Sequence, residues 1–366
     1  MRHLACLDDT GPHLIEPMLR ALQSVLAFDS GGYYYPGPEG ALDAYLQSPA
    51  LQAVMPDYFD PLLLKSESRV LCRSLLNFPD MVRHQRGPLA LEPGQLLTVS
   101  RAALHSSDYY QAIMRPADLS TWVALVLCTP QGCGLGVLTL YRHADGPSFT
   151  ARELATLAPL EPWLARILQP GEQDADHSQV QARGLLIVSP QGRLLWASSQ
   201  AQRLLPLAFG WRWRAVGATR QVVTDALPHP LQLLLQRLNW ARQADADAAL
   251  PQLPWRNAAG DFSLRATGLH ATCGQGAAIA LHITQRVTRG MRLLQALQSL
   301  ALPPRQHALA YWIAQGCTQA QLSARLGISL PTVIHHRRAL YERLGIHDRQ
   351  GLLTQMSAAM PDPHLE

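Results

Sequence analysis

Residues 302 to 349 constrain the fold of this chain more than any other segment, because prolines, glycines and capping residues divide them into short helices. Helix starts are indicated by Pro304, by a Thr-x-x-Gln capping box at Thr318, and by Ser329 before Pro331. Each predicted helix ends at a glycine, which adopts a left-handed conformation without steric cost: Gly316, Gly327 and Gly345. The spacing predicts two shorter helices followed by a longer one, joined by tight turns.

The last of these helices, from about residue 330 to 344, is predicted to be amphipathic. Its apolar residues fall within a narrow arc at the period of an α-helix: Val333, Leu340 and Leu344. Polar and charged residues lie on or beside the opposite arc: Thr332, His335, Arg338 and Glu342. Two helices joined by a short glycine turn, with a polar outward face on the second, are the geometry that places a helix in the major groove of DNA.

The charge of this segment agrees with a nucleic-acid partner. Between residues 302 and 350, six arginines stand against Glu342 and Asp348, which leaves a formal charge of +4. The whole chain also has a formal net charge of +4, so the remaining residues are close to neutral. A positive charge concentrated in one small module is typical of a surface that binds the phosphates of duplex DNA.

These residues resemble the LuxR (GerE-type) family of transcriptional regulators, whose C-terminal signature they follow in ungapped register. The matching positions are Leu302, Pro304, Arg305, Ala314, Gly316, Leu326, Gly327, Ile328, Ser329, Thr332, Val333, His336, Leu344 and Gly345. Three positions depart from the family pattern: Ala308, Ala310 and Ile334, the last of which replaces a Lys or Arg that commonly contacts DNA. The resemblance is confined to the C-terminal part of the chain.

The resemblance implies a recognition helix from about Leu330 to Leu344 and a set of DNA-binding residues at its exposed surface. That set is Thr318, Gln319, Ser329, Thr332, His335, His336, Arg337 and Arg338. Thr332 and His335 are expected to face base edges, and Arg338 to reach a base or a phosphate. The stem of Arg337 is expected to lie along the domain with its guanidinium extended toward the DNA backbone.

Two further expectations concern neighbouring elements. Thr318 and Gln319 would direct free N–H groups of a helix start at a phosphate. For His336, a capped or buried structural histidine is an equal alternative to a DNA contact. A last helix, from about Arg349 to Met356, resembles the element through which such domains pair, so a homodimer is expected.

Composition bounds the remaining possibilities. A length of 366 residues with 48% hydrophobic and 16% charged residues predicts a globular protein of two or three domains. The six cysteines are scattered without a Cys-x-x-Cys pair, which argues against a zinc site or a disulfide framework. No apolar run reaches the length of a membrane span, so a cytoplasmic protein without membrane contact is expected.

Catalytic signatures are not found in the sequence. Gly132-x-Gly134-x-Gly136 lacks the spacing and the strand-to-helix context of a dinucleotide loop, and Walker and His-Glu-x-x-His motifs are missing. His335 and His336 are adjacent, so on a helix they point about 100° apart and do not form a chelating pair. The sequence therefore predicts neither an enzyme nor a bound metal or cofactor.

The N-terminal part reads as a first α+β domain over residues 1–168. Apolar runs at 122–128 and 135–141 flank a glycine-rich turn and predict a hairpin, and a capping box at Thr150 and Glu153 predicts a following helix. The strand ending at Arg142, followed by a short loop and the segment 147–150, resembles the end of GAF-like sensor domains.

A second α+β domain is predicted over residues 183–286, after a polar linker at 169–182. The strand–turn–strand pattern of residues 184–196, followed by a helix capped at Ser198 or Ser199, resembles the opening of a PAS domain. A helical connector at 287–300 and the DNA-binding domain at 301–366 complete the predicted order. The fold class is therefore multi-domain, with two α+β sensor-like domains before an all-α helix-turn-helix domain.

Aromatic residues are dense in the first half of the chain and indicate a small-molecule pocket. The candidate lining residues are Tyr33, Tyr35, Tyr109 and Trp122. Ordinary core and strand-edge packing is the alternative for each of them.

The sequence thus predicts a transcriptional regulator that binds operator DNA as a homodimer under the control of a signal at its N-terminal domains. RNA polymerase and a small-molecule ligand are the further candidate partners. Two alternatives stay open at this stage: a cofactor-bearing redox or light sensor, and a ligand-independent interaction or dimerisation protein.

Overall fold

The computed structural model describes residues 4, 10–37, 42–58, 60–72, 78, 80, 82, 89–91, 96–143, 145–170, 178–210, 213, 227–244, 251–270, 272, 277–300 and 302–358. The chain divides into two compact units. One is formed by residues 11–170 and 182–286, and the other contains the residues from Val287 onward.

Helices and strands alternate irregularly in the first unit, whereas the second consists mainly of helices. The described strands are β1 (Ser30–Pro36), β2 (Leu42–Leu46), β3 (Leu89–Leu91), β4 (Thr121–Cys128), β5 (Gly134–Arg142), β6 (Ser178–Val188), β7 (Leu194–Ala197), β8 (Gln252–Asn257), β9 (Gly260–His270) and β10 (Ala277–Thr288). The described α-helices are α1 (Ile15–Gln23), α2 (Pro49–Tyr58), α3 (Pro61–Val70), α4 (Arg101–His105), α5 (Ala151–Leu157), α6 (Glu161–Leu168), α7 (Ser199–Phe209), α8 (His229–Ala244), α9 (Arg289–Ser299), α10 (Pro304–Gln315), α11 (Gln319–Leu326), α12 (Leu330–Leu344) and α13 (Arg349–Ala358). None of the helices in the described residues is long and apolar enough to cross a lipid bilayer.

The first sheet is antiparallel, with the strand order β2-β1-β5-β4-β3. Strands β4 and β5 form the hairpin that the sequence predicts, and β5 continues the sheet to β1, where Tyr34 lies opposite Val137. Gly136 permits this close pairing: its φ is +146°, and a Cβ added there would lie 2.3 Å from the carbonyl oxygen of Tyr34. A side chain at position 136 would therefore push β5 away from β1.

Both faces of the first sheet are covered by helices. On one face, α1 and α6 pack together, and Leu19 of α1 lies so close to Gly31 of β1 that a Cβ would collide with it. On the other face, α2, α3 and a π-helical turn at Tyr110–Met114 enclose an apolar cluster with Trp122, Val126 and Val137. Nearly every residue of β4 and β5 is buried as a result. The helix predicted at the Thr150 capping box is confirmed, and a 3₁₀ turn at Ala158–Leu160 separates it from α6.

The second sheet repeats the strand order of the first, as β7-β6-β10-β9-β8. In both sheets the first and last strands lie side by side, so the chain enters and leaves each sheet at neighbouring positions. Helices α7 and α8 cover one face, where Phe209, Leu234, Leu264 and Leu281 are buried. Ser198 caps α7 by accepting a hydrogen bond from the N–H of Ala201 at 3.1 Å, as the sequence predicts.

The predicted linker is shorter on its C-terminal side than expected. Strand β6 begins at Ser178, so residues 178–182 belong to the second sheet, while residues 171–177 lie outside the described part of the chain.

In the second unit, helices α10 to α13 pack around a small core that contains Trp312, Leu322, Val333 and Leu352. Arg349, at the start of α13, donates from Nε to the carbonyl oxygen of Ile313 at 3.1 Å and from Nη2 to that of Ala314 at 3.0 Å. These carbonyls belong to the last turn of α10, where a helix has no internal donors. Arg349 therefore joins the first and last helices of the domain.

The apolar residues of α13, the helix that resembles a pairing element, mostly serve this core. Leu352 is 0% exposed and Met356 is 2% exposed, while Leu353 is half-buried. A helix of a small domain must first cover its own core, which the apolar pattern of α13 does not distinguish from a surface between two copies.

A tyrosine joins the two sheet-containing regions of the first unit. The hydroxyl of Tyr35, on β1, accepts a hydrogen bond from the N–H of Ala258 at 2.9 Å and donates to Oδ2 of Asp43 at 3.4 Å. Ala258 lies in the turn between β8 and β9, which Asn257 anchors by donating from its amide to the carbonyl oxygens of Leu207 and Ala208. Tyr35 is buried, so this contact lies between packed surfaces.

Replacing Tyr35 by Phe should loosen the β8–β9 turn selectively. Loss of the acceptor leaves the half-buried N–H of Ala258 without this hydrogen bond, at a cost of about 0.5–1.5 kcal/mol. We expect hydrogen exchange at the Ala258 amide to accelerate by up to about tenfold. Tyr33→Phe is the matched control, because its hydroxyl donates to the carbonyl oxygen of Leu135 within the first sheet. Equal protection of Ala258 in both variants would contradict this role for Tyr35.

Candidate nucleic-acid interface and buried cavity

Helix α12 begins and ends at the residues that the sequence indicates. The hydroxyl of Ser329 accepts from the N–H of Thr332 at 3.4 Å, and Pro331 lies in the first turn. Gly345 ends the helix in the left-handed conformation, with φ +63°. The preceding turn uses Gly327 in the same way, with φ +64°.

Helix α12 has one face in the core and one in solvent. Val333 and Leu340 are both 0% exposed, which confirms the predicted apolar arc. His335 and Arg338 are exposed on the opposite side, as predicted for residues that face base edges and phosphates. His336 is also exposed, and its ring lies 5.6 Å from that of His335, which excludes the buried alternative for His336.

Thr332 is half-buried and its hydroxyl is engaged within the protein. Its Oγ1 lies 2.7 Å from Oγ of Ser329, where either group can donate. Both hydroxyls therefore hold the start of α12 together. To contact DNA, these hydroxyls would either break the hydrogen bond between them or keep it and form a second one to the DNA.

Arg337 connects α12 to α11. With the amide of Gln319 oriented so that its oxygen faces the guanidinium, Nη1 and Nη2 of Arg337 donate to this oxygen at 2.8 and 2.9 Å. The guanidinium carbon also lies 6.0 Å from the centre of the Tyr341 ring. The sequence predicts a guanidinium extended toward DNA, whereas here it is bound to Gln319, because the packing of α11 on α12 brings these two candidate residues together.

The start of α11 presents N–H groups to solvent. Thr318 and Gln321 form the predicted capping box, in which the N–H of Thr318 donates to Oε1 of Gln321 at 2.8 Å. The amides of Gln319 and Ala320 lie in the first helical turn, where an α-helix provides no carbonyl partner. Such a helix start favours an anion, and Arg337 adds a positive charge beside it.

A second candidate site lies in the first sheet domain, between β1, β4 and β5 and the helices α2 and α3. It is a cavity of about 90 Å³, several times the roughly 10–15 Å³ needed to hold one water. Most of its lining is aliphatic and aromatic: Tyr34, Leu51, Val54, Met55, Tyr58, Leu71, Leu96, Tyr109, Ile113, Met114, Leu119, Trp122, Ala124, Val126, Val137 and Tyr141. Glu67 and Thr139 add polar groups.

The polar groups of the cavity form hydrogen-bonded pairs. The hydroxyls of Tyr34 and Tyr141 lie 3.0 Å apart, and the hydroxyl of Tyr58 donates to Oε1 of Glu67. Burial raises the pKa of Tyr34, Tyr58 and Tyr109 well above 10, and the nearby Glu67 carboxyl raises them further. Burial likewise raises the pKa of Tyr141 to about 12. The phenols therefore remain protonated at neutral pH. The hydroxyl of Tyr58 donates to Glu67, and one hydroxyl of the Tyr34–Tyr141 pair donates to the other, so the hydroxyl of Tyr109 is the one that can donate to a bound molecule.

The structure divides the four predicted lining residues into two pairs. Tyr109 and Trp122 line the cavity, whereas Tyr33 and Tyr35 lie on the opposite face of β1, where their rings stack at 5.1 Å. Successive residues of a strand point to opposite faces, so Tyr34 takes the place expected for its neighbours. The aromatic composition alone does not distinguish these faces.

Sequence reasoning also missed Glu67. Glu67 is 2% exposed and lies on the side of α3 that also carries Val70. A carboxylate within the apolar stripe of an amphipathic helix is the signal that could have indicated a polar group inside a cavity.

Comparison with known proteins identifies one part of the chain. The family model of "Bacterial regulatory proteins, luxR family" (GerE) matches residues 300–356. Among curated proteins, no sequence matches this chain significantly.

Solved structures give weaker likenesses. Escherichia coli SdiA is 13% identical, with 95% of this chain and 89% of that chain covered and a TM-score of 0.26. The phage VqmA–DPO complex is 20% identical, with 50% and 84% covered and a TM-score of 0.21. The Vibrio cholerae VqmA dimer is 13% identical, with 48% and 81% covered and a TM-score of 0.20. TM-scores this low do not establish a common arrangement of the whole chain.

The cavity predicts different responses to one added methyl group on the two faces of the first sheet. Val137→Ile extends into the cavity and should leave stability unchanged or raise it by up to about 1 kcal/mol. Val123→Ile, on the close-packed face where Val123 is 0% exposed, should lower stability by about 1–3 kcal/mol. Urea unfolding of both variants measures the difference, and an equal loss in both would show that position 137 is as tightly packed as position 123.

Proposed function

Residues 300–356 of this chain form a LuxR-type helix-turn-helix domain, and we propose that the chain is a transcriptional regulator that binds operator DNA through it. The observation that carries this proposal is the exposed face of α12, where His335 and Arg338 project away from a core sealed by Val333 and Leu340. A helix presented in this way, beside a helix start that favours phosphate, matches how such motifs enter a major groove.

The DNA-binding role is assigned residue by residue. His335, His336 and Arg338 are exposed and would face the groove or its edges. Ser329 and Thr332 would act at the start of α12, where their hydroxyl pair can turn toward a base or phosphate. Thr318, Gln319 and Arg337 would contact the DNA backbone. Arg337 would then give up its hydrogen bonds to Gln319 or keep one of them while it donates to a phosphate.

The proposal includes a homodimer, since two copies of a helix-turn-helix reading half-sites one helical turn apart gain affinity and symmetry. Because α13 buries Leu352 and Met356 in its own domain, surfaces beyond α13 would contribute to pairing. Sedimentation with and without DNA measures the state. RNA polymerase would be a partner at promoters where the regulator activates.

The N-terminal regions, which resemble GAF-like and PAS-like domains, are proposed to receive the signal. The supporting observation is the cavity of the first sheet, where an apolar lining surrounds protonated tyrosine hydroxyls and the carboxyl of Glu67. This chemistry suits a small, largely apolar molecule with one or two hydrogen-bonding groups. Strand β1 lines the cavity through Tyr34 and contacts the second sheet region through Tyr35, so a bound molecule would act on a shared wall.

The DNA-binding proposal predicts the behaviour of two arginine variants. At low salt, full-length protein should retard the electrophoretic mobility of bacterial DNA fragments that it has selected from a pool. Arg338→Ala should weaken this binding by about 1–3 kcal/mol if Arg338 contacts a base. If Arg338 contacts a phosphate, the variant should instead reduce the salt dependence of the binding constant by about one ion. Arg343→Ala is the matched control, because Arg343 is exposed on the same helix about 140° away from Arg338. Binding that is unchanged in Arg338→Ala at every salt concentration removes this residue from the interface, and the absence of any shift rejects the DNA-binding function.

The signal proposal predicts that a mutation that fills the cavity excludes the bound small molecule. Small molecules released on denaturing the purified protein are identified by mass spectrometry, with Val137→Phe filling the cavity and Val137→Ile as the conservative control. We expect a compound that wild-type protein and Val137→Ile release and that Val137→Phe does not. Equal release from all three proteins places the molecule elsewhere, and operator affinity that is insensitive to cell extract favours a ligand-independent regulator.

A further inference from the structure

The start of helix α12 carries an exposed apolar pair that the DNA-binding proposal does not explain. Leu330 and Ile334 are each 44% exposed, more than any other large hydrophobic side chain whose exposure is described between residues 302 and 358. The rest of the apolar side of α12 is turned inward, with Val333 at 0% exposure. This pair therefore stands on the solvent side of a helix whose core contacts are already complete.

The pair lies in line with the residue best placed to contact DNA. Leu330, Ile334 and Arg338 are spaced four residues apart, so they form one ridge along the helix. Arg338 is exposed at the end of this ridge, and His335 is exposed beside it. The ridge thus presents two apolar side chains followed by a cation.

The two hydroxyls near the pair are hydrogen-bonded to each other. The hydroxyls of Ser329 and Thr332 lie 2.7 Å apart, and Ser329 also accepts from the N–H of Thr332. Pro331 has no N–H to donate. Leu330 and Ile334 therefore provide an apolar contact surface beside this hydroxyl pair.

In a major groove, the apolar group that distinguishes one base pair from the others is the C5-methyl group of thymine. We infer that Leu330 and Ile334 read thymine methyl groups and that the operator carries thymines opposite this ridge. The inference rests on the proposed DNA binding. Residues four apart on a helix are separated by about 5–6 Å, and successive base pairs rise by about 3.4 Å. The two contacted methyl groups should therefore lie within about two base-pair steps of each other.

The position of Arg338 on the ridge predicts the order of the base contacts along the groove. Arg338 follows Ile334 along the ridge by the same spacing, so its contact lies further along the groove than the thymines. If Arg338 reaches a base, guanine is its preferred partner through O6 and N7. Sequence preference at the start of α12 would then be set by methyl contacts, and preference further along the helix by hydrogen bonds.

Replacing thymine by uracil tests the inference, because uracil lacks the methyl group and keeps the same base pairing. Duplexes are first selected by the full-length protein from a random pool. Each thymine of the selected site is then replaced singly by deoxyuridine, and affinity is measured by fluorescence anisotropy. We expect two positions at which the affinity of wild-type protein falls about fourfold, the effect of withdrawing one methyl group from water.

Variants of the pair identify the side chains responsible. Ile334→Ala should bind the selected site more weakly, and one of the sensitive thymines should become indifferent to uracil in this variant. Leu330→Ala should have the same effect at the other sensitive position. Leu62→Ala is the matched control, since it truncates a leucine that is 78% exposed outside the helical domain, and it should preserve the full response to uracil.

The outcomes separate this inference from the function on which it rests. If no duplex is enriched and none is bound, DNA binding itself fails and the inference fails with it. If duplexes are bound but every uracil substitution is silent, or if Ile334→Ala responds to uracil as wild type does, only the methyl contact is rejected. If Ile334→Ala changes the sedimenting mass while DNA affinity is unchanged, the pair belongs to a contact between two copies and the inference is overturned.

Discussion

The alternation of side chains along strand β1 is the constraint on which the first unit depends. β1 is an interior strand paired to β2 and β5, and its sheet is covered on both sides, so each of three consecutive tyrosines is assigned to a face by its position. Tyr34 turns toward the cavity, while Tyr33 and Tyr35 turn toward the other layer. A shift of one residue in the register of β1 would exchange these roles, and Gly136 allows β5 to approach β1 closely.

Because of this alternation, the adjacent residues Tyr34 and Tyr35 make hydrogen bonds on opposite faces of the sheet. Tyr34 is hydrogen-bonded to Tyr141 inside the cavity, and Tyr35 is hydrogen-bonded to the turn between β8 and β9. The same turn is also bonded to β10, because the side-chain amide of Gln285 donates to the carbonyl oxygen of Ala259 at 2.9 Å. β10 ends at Thr288, which caps α9 by accepting from the N–H of Met291. Tyr35 and Gln285 therefore hold the two ends of the short turn between β8 and β9, which connects β1 to β10 within the first unit through separate hydrogen bonds.

The helical domain is stabilised differently, by caps at the helix ends together with a small apolar core. Each helix end is set by a residue whose own chemistry satisfies backbone groups, such as Thr318 and Ser329 at helix starts and Gly327 at a helix end. Arg349 then connects the last helix to the first through two carbonyl oxygens. With its interior completed in this way, α12 can leave His335, Arg338 and the pair Leu330 and Ile334 in solvent, where a partner can reach them.

The printed sequence was sufficient for the features that depend on neighbours along the chain. Capping boxes at Thr150 and Thr318, the left-handed glycines and the arcs of α12 were all predictable, because each depends on the chemistry of a few adjacent residues. Features that depend on distant residues were not. The burial of Leu352 and Met356, the pairing of Arg337 with Gln319, and the choice of Tyr34 over Tyr33 and Tyr35 for the cavity arise when separate elements pack together. Local patterns specify which face of a helix or strand is apolar, but tertiary packing alone selects what that face meets, since the same apolar surface can be buried in a core, in a cavity wall or against a partner.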